Sequence, residues 1–153
     1  MMIIKQNMAL IILIFSLFSS MALPQNTNLL EKKDTEKTIN PAVQTIFSEI
    51  ENAFSSGNVS ALSAYLGPQT YFSLSNGING YYSTSQAFYV LEDFFKIYKV
   101  VIFKFNNIQA GGNNPYATGE YVFELKGKRE TAKVYISLKP AGSSWKITQI
   151  TIN

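Results

Sequence analysis

Two neighbouring segments near the end of the chain constrain the fold most. In "YATGEYVFELK", Ala117, Gly119, Tyr121, Phe123 and Leu125 share one parity. Thr118, Glu120, Val122, Glu124 and Lys126 share the other. In "RETAKVYISLK", Ala132, Val134, Ile136 and Leu138 alternate with Lys133, Tyr135, Ser137 and Lys139. Successive side chains of a strand point to opposite faces, so each segment reads as a long strand with one apolar and one polar face. A sheet built from such strands needs a cover on its apolar side and can leave the other side wet.

The flanking sequence extends that sheet. "KVVIFKFNNIQ" is a third long strand, followed by the turn Gly111-Gly112-Asn113-Asn114-Pro115. Gly127-Lys128 is read as the next turn and Pro140-Ala141-Gly142-Ser143 as the last. In "WKITQITIN", Trp145 and Ile147 share one parity and Ile150 and Ile152 the other, which predicts a β-bulge near Thr148-Gln149.

The cover comes from upstream. Val43, Ile46, Phe47, Ile50, Ala53 and Phe54 form one apolar helical stripe after Asn40-Pro41, which suits a helix start, and before Gly57, which suits a stop. Asn58 caps a short second helix that buries Leu62, Tyr65 and Leu66 and stops at Gly67-Pro68. "TYFSL" and "INGYYS" flank Asn76-Gly77 as a hairpin. Ser83 and Gln86 then form a capping box that opens a third helix, "STSQAFYVLEDFFKIY". The expected class is α+β: three N-terminal helices packed on a curved antiparallel sheet, with a short hairpin before the third helix.

The chain of 153 residues suffices for one domain. "MMIIKQNMALIILIFSLFSSMALPQ" has a cationic start at Lys5, an apolar stretch from Met8 to Phe18 and small residues before a cut after Ala22. It reads as a signal peptide, residues 1–22, with a retained anchor as the competing reading. Residues 23–39 read as a flexible linker and 40–153 as the domain. The expected location is exported, periplasmic or extracellular, with membrane contact only through the signal segment.

The chain has no Cys and no His. That excludes disulfides, thiolate chemistry, a lipid-modified cysteine and the commonest general base and metal ligand. No metal or cofactor is expected. Without Lys5, twelve basic and ten acidic residues leave a net charge of +2, too small to imply a nucleic-acid partner.

"SGNVSALSAYL", "GYYSTSQAFYVLEDFF", "YATGEY" and "KVYISLKPAGSSWKITQITI", in this element order, resemble the nuclear transport factor 2-like, or cystatin-like, α+β cone superfamily. Within it they are similar to a family of secreted bacterial domains of unknown function. The resemblance implies a cone with an open mouth between sheet and helices. Some superfamily members are isomerases or dehydratases with Asp, His or Tyr inside the cone; many others bind small ligands or partners. No acid stands at the inward strand positions named above, so the enzymatic carry-over fails residue by residue.

Each candidate feature has a plain structural reading beside the functional one. On the third helix, Ala87, Leu91, Phe94 and Tyr98 point one way, flanked by Phe88, Phe95 and Val90. Glu92, Asp93, Lys96 and Tyr89 point the other. The acidic pair is therefore read as a solvated face. Phe47, Tyr65, Tyr71, Phe88, Phe103, Tyr121, Phe123 and Trp145 are the ligand-pocket candidates, and core packing is their competing reading. Lys126, Lys128, Arg129, Lys133, Lys139 and Lys146 cluster near the last turns, as solubilising charge or as a site for an anionic partner. The leading functional expectation is an exported, non-enzymatic binding or accessory domain with a small apolar ligand in the cone. A cone-type enzyme using Tyr and a carboxylate, and a protein-interaction module or homodimer acting through the sheet, are the alternatives. An interior filled by aromatic rings favours the last.

Overall fold

The computed structural model describes residues 39–153. The expected signal segment, and the expected linker up to residue 38, lie outside the described residues. Helix α1 spans Pro41–Ser55. The Asn40 Oδ1 accepts from the amides of Ala42 (3.0 Å) and Val43 (3.4 Å), and Pro41 takes the first turn, where its missing N–H costs nothing. Val43, Phe47, Ile50, Ala53 and Phe54 are buried along the expected stripe. The helix ends in a Schellman motif: Gly57 N donates to Phe54 O (3.1 Å) and Asn58 N to Ala53 O (2.9 Å), with Gly57 at φ 61°. Asn58 then turns its side chain to the Ala61 amide (3.0 Å) and caps α2, Val59–Ser63.

Helix α2 is shorter than the sequence suggests. Leu66 and Gly67-Pro68 do not end it; they begin strand β1, Leu66–Leu74. Leu66 pairs with Ile147, and pairing with the same neighbour resumes only at Tyr71. Pro68, which has no N–H to donate, falls in that gap in the ladder. Gly67 serves a close approach: a Cβ there would stand 2.7 Å from the Ile147 carbonyl oxygen.

A turn through Ser75-Asn76-Gly77 leads to β2, Asn79–Ser83. The capping box follows at once: Ser83 N donates to Gln86 Oε1 (2.9 Å) and Gln86 N to Ser83 Oγ (3.4 Å), opening α3, Thr84–Ile97. Three further hairpin-connected strands and a last one complete the chain: β3 Lys99–Gln109, β4 Tyr116–Leu125, β5 Lys128–Ala141 and β6 Ser144–Ile152. The β4–β5 turn is one residue earlier than expected. Lys126 (φ 51°) and Gly127 (φ 76°) make it, since a two-residue hairpin matches the twist of its strands when both residues are left-handed. Likewise β5 runs on through Pro140-Ala141, and only Gly142-Ser143 turn.

All six strands form one sheet in the order β2-β1-β6-β5-β4-β3. The hairpin expected before the third helix is β1–β2, so the helices do not form one N-terminal block. The sheet departs from the expectation in not being wholly antiparallel: β1 lies parallel to β6. The predicted bulge is present. Ser137 pairs with Gln149 and Leu138 with Ile147, which leaves Thr148 as the extra residue. It lets Ile147 and Ile150 both enter the core and turns Gln149 to the opposite face.

Helices α1 and α3 cover one face of the sheet. Phe47 meets Phe105 edge-on (5.8 Å between centroids), Phe54 packs on Phe103 (4.9 Å), and Phe94 and Phe95 flank Tyr121 (6.0 and 6.1 Å). Fully burying each such ring contributes about 1.5–3 kcal/mol. The seam of α3 is as its period demands: Ala87, Leu91, Phe94 and Phe95 are buried, while Tyr89 is 64% exposed.

Candidate functional site

The eight aromatic pocket candidates divide by place. Phe47, Phe103, Tyr121 and Phe123 come together in the core and are almost wholly buried. They pack ring to ring: Phe103 lies 6.3 Å from Tyr121, which stacks on Phe123 at 5.6 Å. Tyr121 donates its hydroxyl to the carbonyl of Tyr98 (2.5 Å), the residue that caps the end of α3. Burial pushes that phenol well above its ordinary pKa, so it stays protonated and spends its one proton inside the fold. Among the described residues, no buried side-chain polar atom lacks a hydrogen-bond partner. The other four lie apart: Tyr65, Phe88 and Trp145 are half-buried at the margin of the core, and Tyr71 is on the opposite face of the sheet.

A tyrosine–carboxylate pair does exist, on the outside. Tyr65 donates its hydroxyl to Glu49 Oε2 beside a groove of about 470 Å³ between α1 and α2. That hydrogen bond raises the Tyr65 pKa, which makes the phenol a poorer base precursor. Glu51 is spent structurally: it accepts from the Phe105 amide (2.7 Å) and from Lys104 Nζ (3.2 Å). Glu92 pairs with Lys96 (3.0 Å), which also lies 3.5 Å from Asp93, on the wet side of α3. Among the described residues, no group of acids is placed to hold a metal ion.

The face of the sheet that no described helix covers gathers the most chemistry. Its register aligns Tyr81, Tyr71, Gln149, Ser137, Tyr116 and Gln109 in one row crossing all six strands. The adjacent row runs Asn79, Ser73, Thr151, Tyr135, Thr118 and Asn107. Neither row contains a carboxylate or a cation. Two tyrosine pairs mark the two sides: Tyr71 with Tyr81 at 5.1 Å and 60°, and Tyr116 with Tyr135 at 5.6 Å and 27°. Charge flanks the two rows: Lys133 pairs with Glu120 on one side, and Lys139 stands across from Lys146 on the other. Two grooves cut this face. One, of about 420 Å³, is lined by Gln69, Tyr71, Tyr81, Ser137, Lys139, Thr148 and Gln149. The other, of about 410 Å³, runs along Asn106, Asn107, Thr118, Lys133 and Tyr135.

Alternation in β4 and β5 marks their part of this face but is silent on what β1, β2 and β6 add: Gln69, Tyr81, Gln149 and Thr151. The bulge at Thr148-Gln149 was the available signal, because it implies that Gln149 turns away from the core. The basic residues do not form one patch. Lys126, Lys128 and Arg129 sit at the β4–β5 turn, whereas Lys139 pairs with Lys146 near the β5–β6 turn. A strand of β5's length places those groups roughly 30 Å or more apart. Lys146 donates to the Ala64 carbonyl (2.6 Å).

Comparison with known proteins fits this architecture. A family model described as a domain of unknown function, DUF4783, matches residues 47–153. Two crystal structures of DUF4783 family proteins are similar. One, from Bacteroides uniformis, has 21% identity and a TM-score of 0.63, covering 69% of this chain and 94% of its own. Another, from Bacteroides ovatus, has 22% identity and a TM-score of 0.61, covering 69% and 91%. A protein of ketosteroid isomerase-like fold from Catenulispora acidiphila, in complex with trimethylamine, has 14% identity and a TM-score of 0.56, covering 71% and 83%. No curated protein sequence matches.

Proposed function

The chain belongs to the DUF4783 family of domains of unknown function and has the nuclear transport factor 2-like α+β fold; from that premise we propose that it is an exported, non-enzymatic binding domain acting through the open face of its sheet. One contrast carries this reading. The face under the helices is packed ring against ring with its polar atoms partnered, while the other face presents hydroxyl, amide and tyrosine groups from all six strands to water. A fold relative crystallised with trimethylamine supports the capacity of this fold to hold a small molecule. In this chain, however, an apolar ligand among Phe47, Phe103, Tyr121 and Phe123 would have to part rings that already fill one another's contact surface. Enzymatic chemistry has weaker support, because the tyrosine–carboxylate pair Tyr65–Glu49 lies outside the cone and its phenol is weakened as an acid.

The test is site-specific photo-crosslinking of the full chain in its own host. A benzophenone side chain at Tyr135, on the open face, should give a defined adduct. The same group at Tyr89, on the outer side of α3, should give none. Adducts from Tyr89 alone would overturn the proposal.

A further inference from the structure

The groove at the β1–β2 side of the open face has a chemistry narrower than "binding". We propose that it binds a neutral oligosaccharide, with Tyr81 and Tyr71 as the stacking surface and Gln149, Ser137 and Thr148 as hydrogen-bonding partners. The proposal rests on the open-face reading above and adds the ligand class.

A sugar ring offers two things at once. Its C–H faces are apolar planes, and its hydroxyls each donate and accept. A surface that fits it combines an exposed aromatic ring with amide and hydroxyl side chains, which also do both. Tyr81 is 71% exposed and stands beside Tyr71 at 5.1 Å. The Tyr71 hydroxyl donates to Asn79 Oδ1 (2.7 Å), which fixes its ring before any ligand arrives and lowers the ordering cost of binding. One strand over, Gln149 is oriented by its own bond from Nε2 to Thr151 Oγ1 (3.1 Å). Beyond it, the hydroxyls of Ser137 and Thr148 stand 3.2 Å apart, held together by the bulge. From β2 to β5 is three strand spacings, about 14 Å, the span of a short oligosaccharide rather than of one ring.

Charge selects among occupants. Among the described residues, the floor of the groove has no carboxylate, and Lys139 is its only cation. A phosphate-rich or acidic polymer would find one positive charge where it needs several. A protein partner, or a second copy of this chain, would need an apolar centre to exclude water. Here the rows offer amides and hydroxyls whose desolvation would go uncompensated. An uncharged, hydroxyl-rich ligand matches a floor of hydroxyls and amides that carries one cation.

The experiment titrates the full chain with soluble neutral glycans (a β-glucan, a mannan and a galactan oligomer), reading affinity by calorimetry and location by amide chemical shifts. At least one should bind, with shifts centred on Tyr71, Tyr81 and Gln149. Tyr81→Ala, at an exposed site where folding is not at stake, should weaken binding by about tenfold or more. Gln149→Ala should weaken it about threefold or more, and Lys139→Ala should change it less than about twofold. No binding by any of these probes at millimolar concentration would overturn the glycan assignment, as would binding that Lys139→Ala abolishes or shifts that map to the helical side. A Tyr81-dependent self-association seen by sedimentation would assign the face to a second copy instead. Persisting Tyr135 crosslinks without glycan binding would sink the ligand class while leaving the open-face reading intact. Loss of both would remove both.

Discussion

Replacing Tyr121 by Phe separates a structural tyrosine from a ligand-handling one. The ring is wholly buried among Phe94, Phe95, Phe103 and Phe123, and the substitution keeps it. What it removes is one hydroxyl and its bond to the Tyr98 carbonyl at the end of α3. Losing that part-buried hydrogen bond costs about 0.5–1.5 kcal/mol. For a domain of this size that lowers Tm by roughly 4 °C per kcal/mol. The midpoint of a urea melt should fall with the slope unchanged, because no surface is added or removed.

The pH dependence gives an independent check. Burial raises the phenol pKa in the folded protein above the unfolded value of 10.0. Above pH 10 the unfolded chain therefore loses this proton while the folded one keeps it. Stability from this group is fully present below pH 10 and declines as pH rises, by at most about 1.4 kcal/mol per pH unit. The Phe variant lacks that slope, and every other tyrosine cancels in the comparison. The gap between wild type and variant should be widest near neutrality and narrow between pH 10 and 11.5. A variant as stable as wild type at pH 7, with no convergence at alkaline pH, would refute the packing and hydrogen-bond account of Tyr121.

Further outcomes follow from the same geometry. On α3, Glu92→Ala and Asp93→Ala should each change stability by about 0.5 kcal/mol or less in urea melts, since both lie on the exposed side. Leu91→Ala should cost about 2–5 kcal/mol and Phe94→Ala about 3–5 kcal/mol, so acid changes as costly as these would reverse the facing of the helix. Gly119→Ala places a Cβ 2.2 Å from the Lys104 carbonyl oxygen on the adjacent strand. Backbone must move to admit it, at about 1–3 kcal/mol by thermal melt, and a variant of wild-type stability would contradict the β3–β4 register.

The parts of this fold legible in sequence were those governed by local rules. The Ser83–Gln86 capping box, the Asn58 cap and the stop at Gly57 need only neighbours within a few residues. The bulge at Thr148 was legible because apolar parity must switch if Ile147 and Ile150 are both to be buried. Errors arose where a residue's role depends on a distant partner. Gly67-Pro68 has the composition of a helix stop, yet Gly67 is small because the Ile147 carbonyl, eighty residues on, passes over it. The parallel pairing of β1 with β6 has no local signature either, and it is this pairing that places Tyr71 beside Gln149.

The open face was therefore only half visible. Alternation within β4 and β5 identified Thr118, Tyr135 and Ser137, but alternation cannot say which strands lie next to each other. The acidic pair on α3 illustrates the converse. Glu92 and Asp93, set among five rings, look in sequence like acids in an apolar pocket, and helical period alone puts them in water. Tyr81 looks like one more β-prone aromatic in a short hairpin, and only the assembled row turns it into the edge of a polar surface. A single chain's periodicity thus reports which side of an element faces the core. The chemistry of a face shared by six strands emerges only from their order.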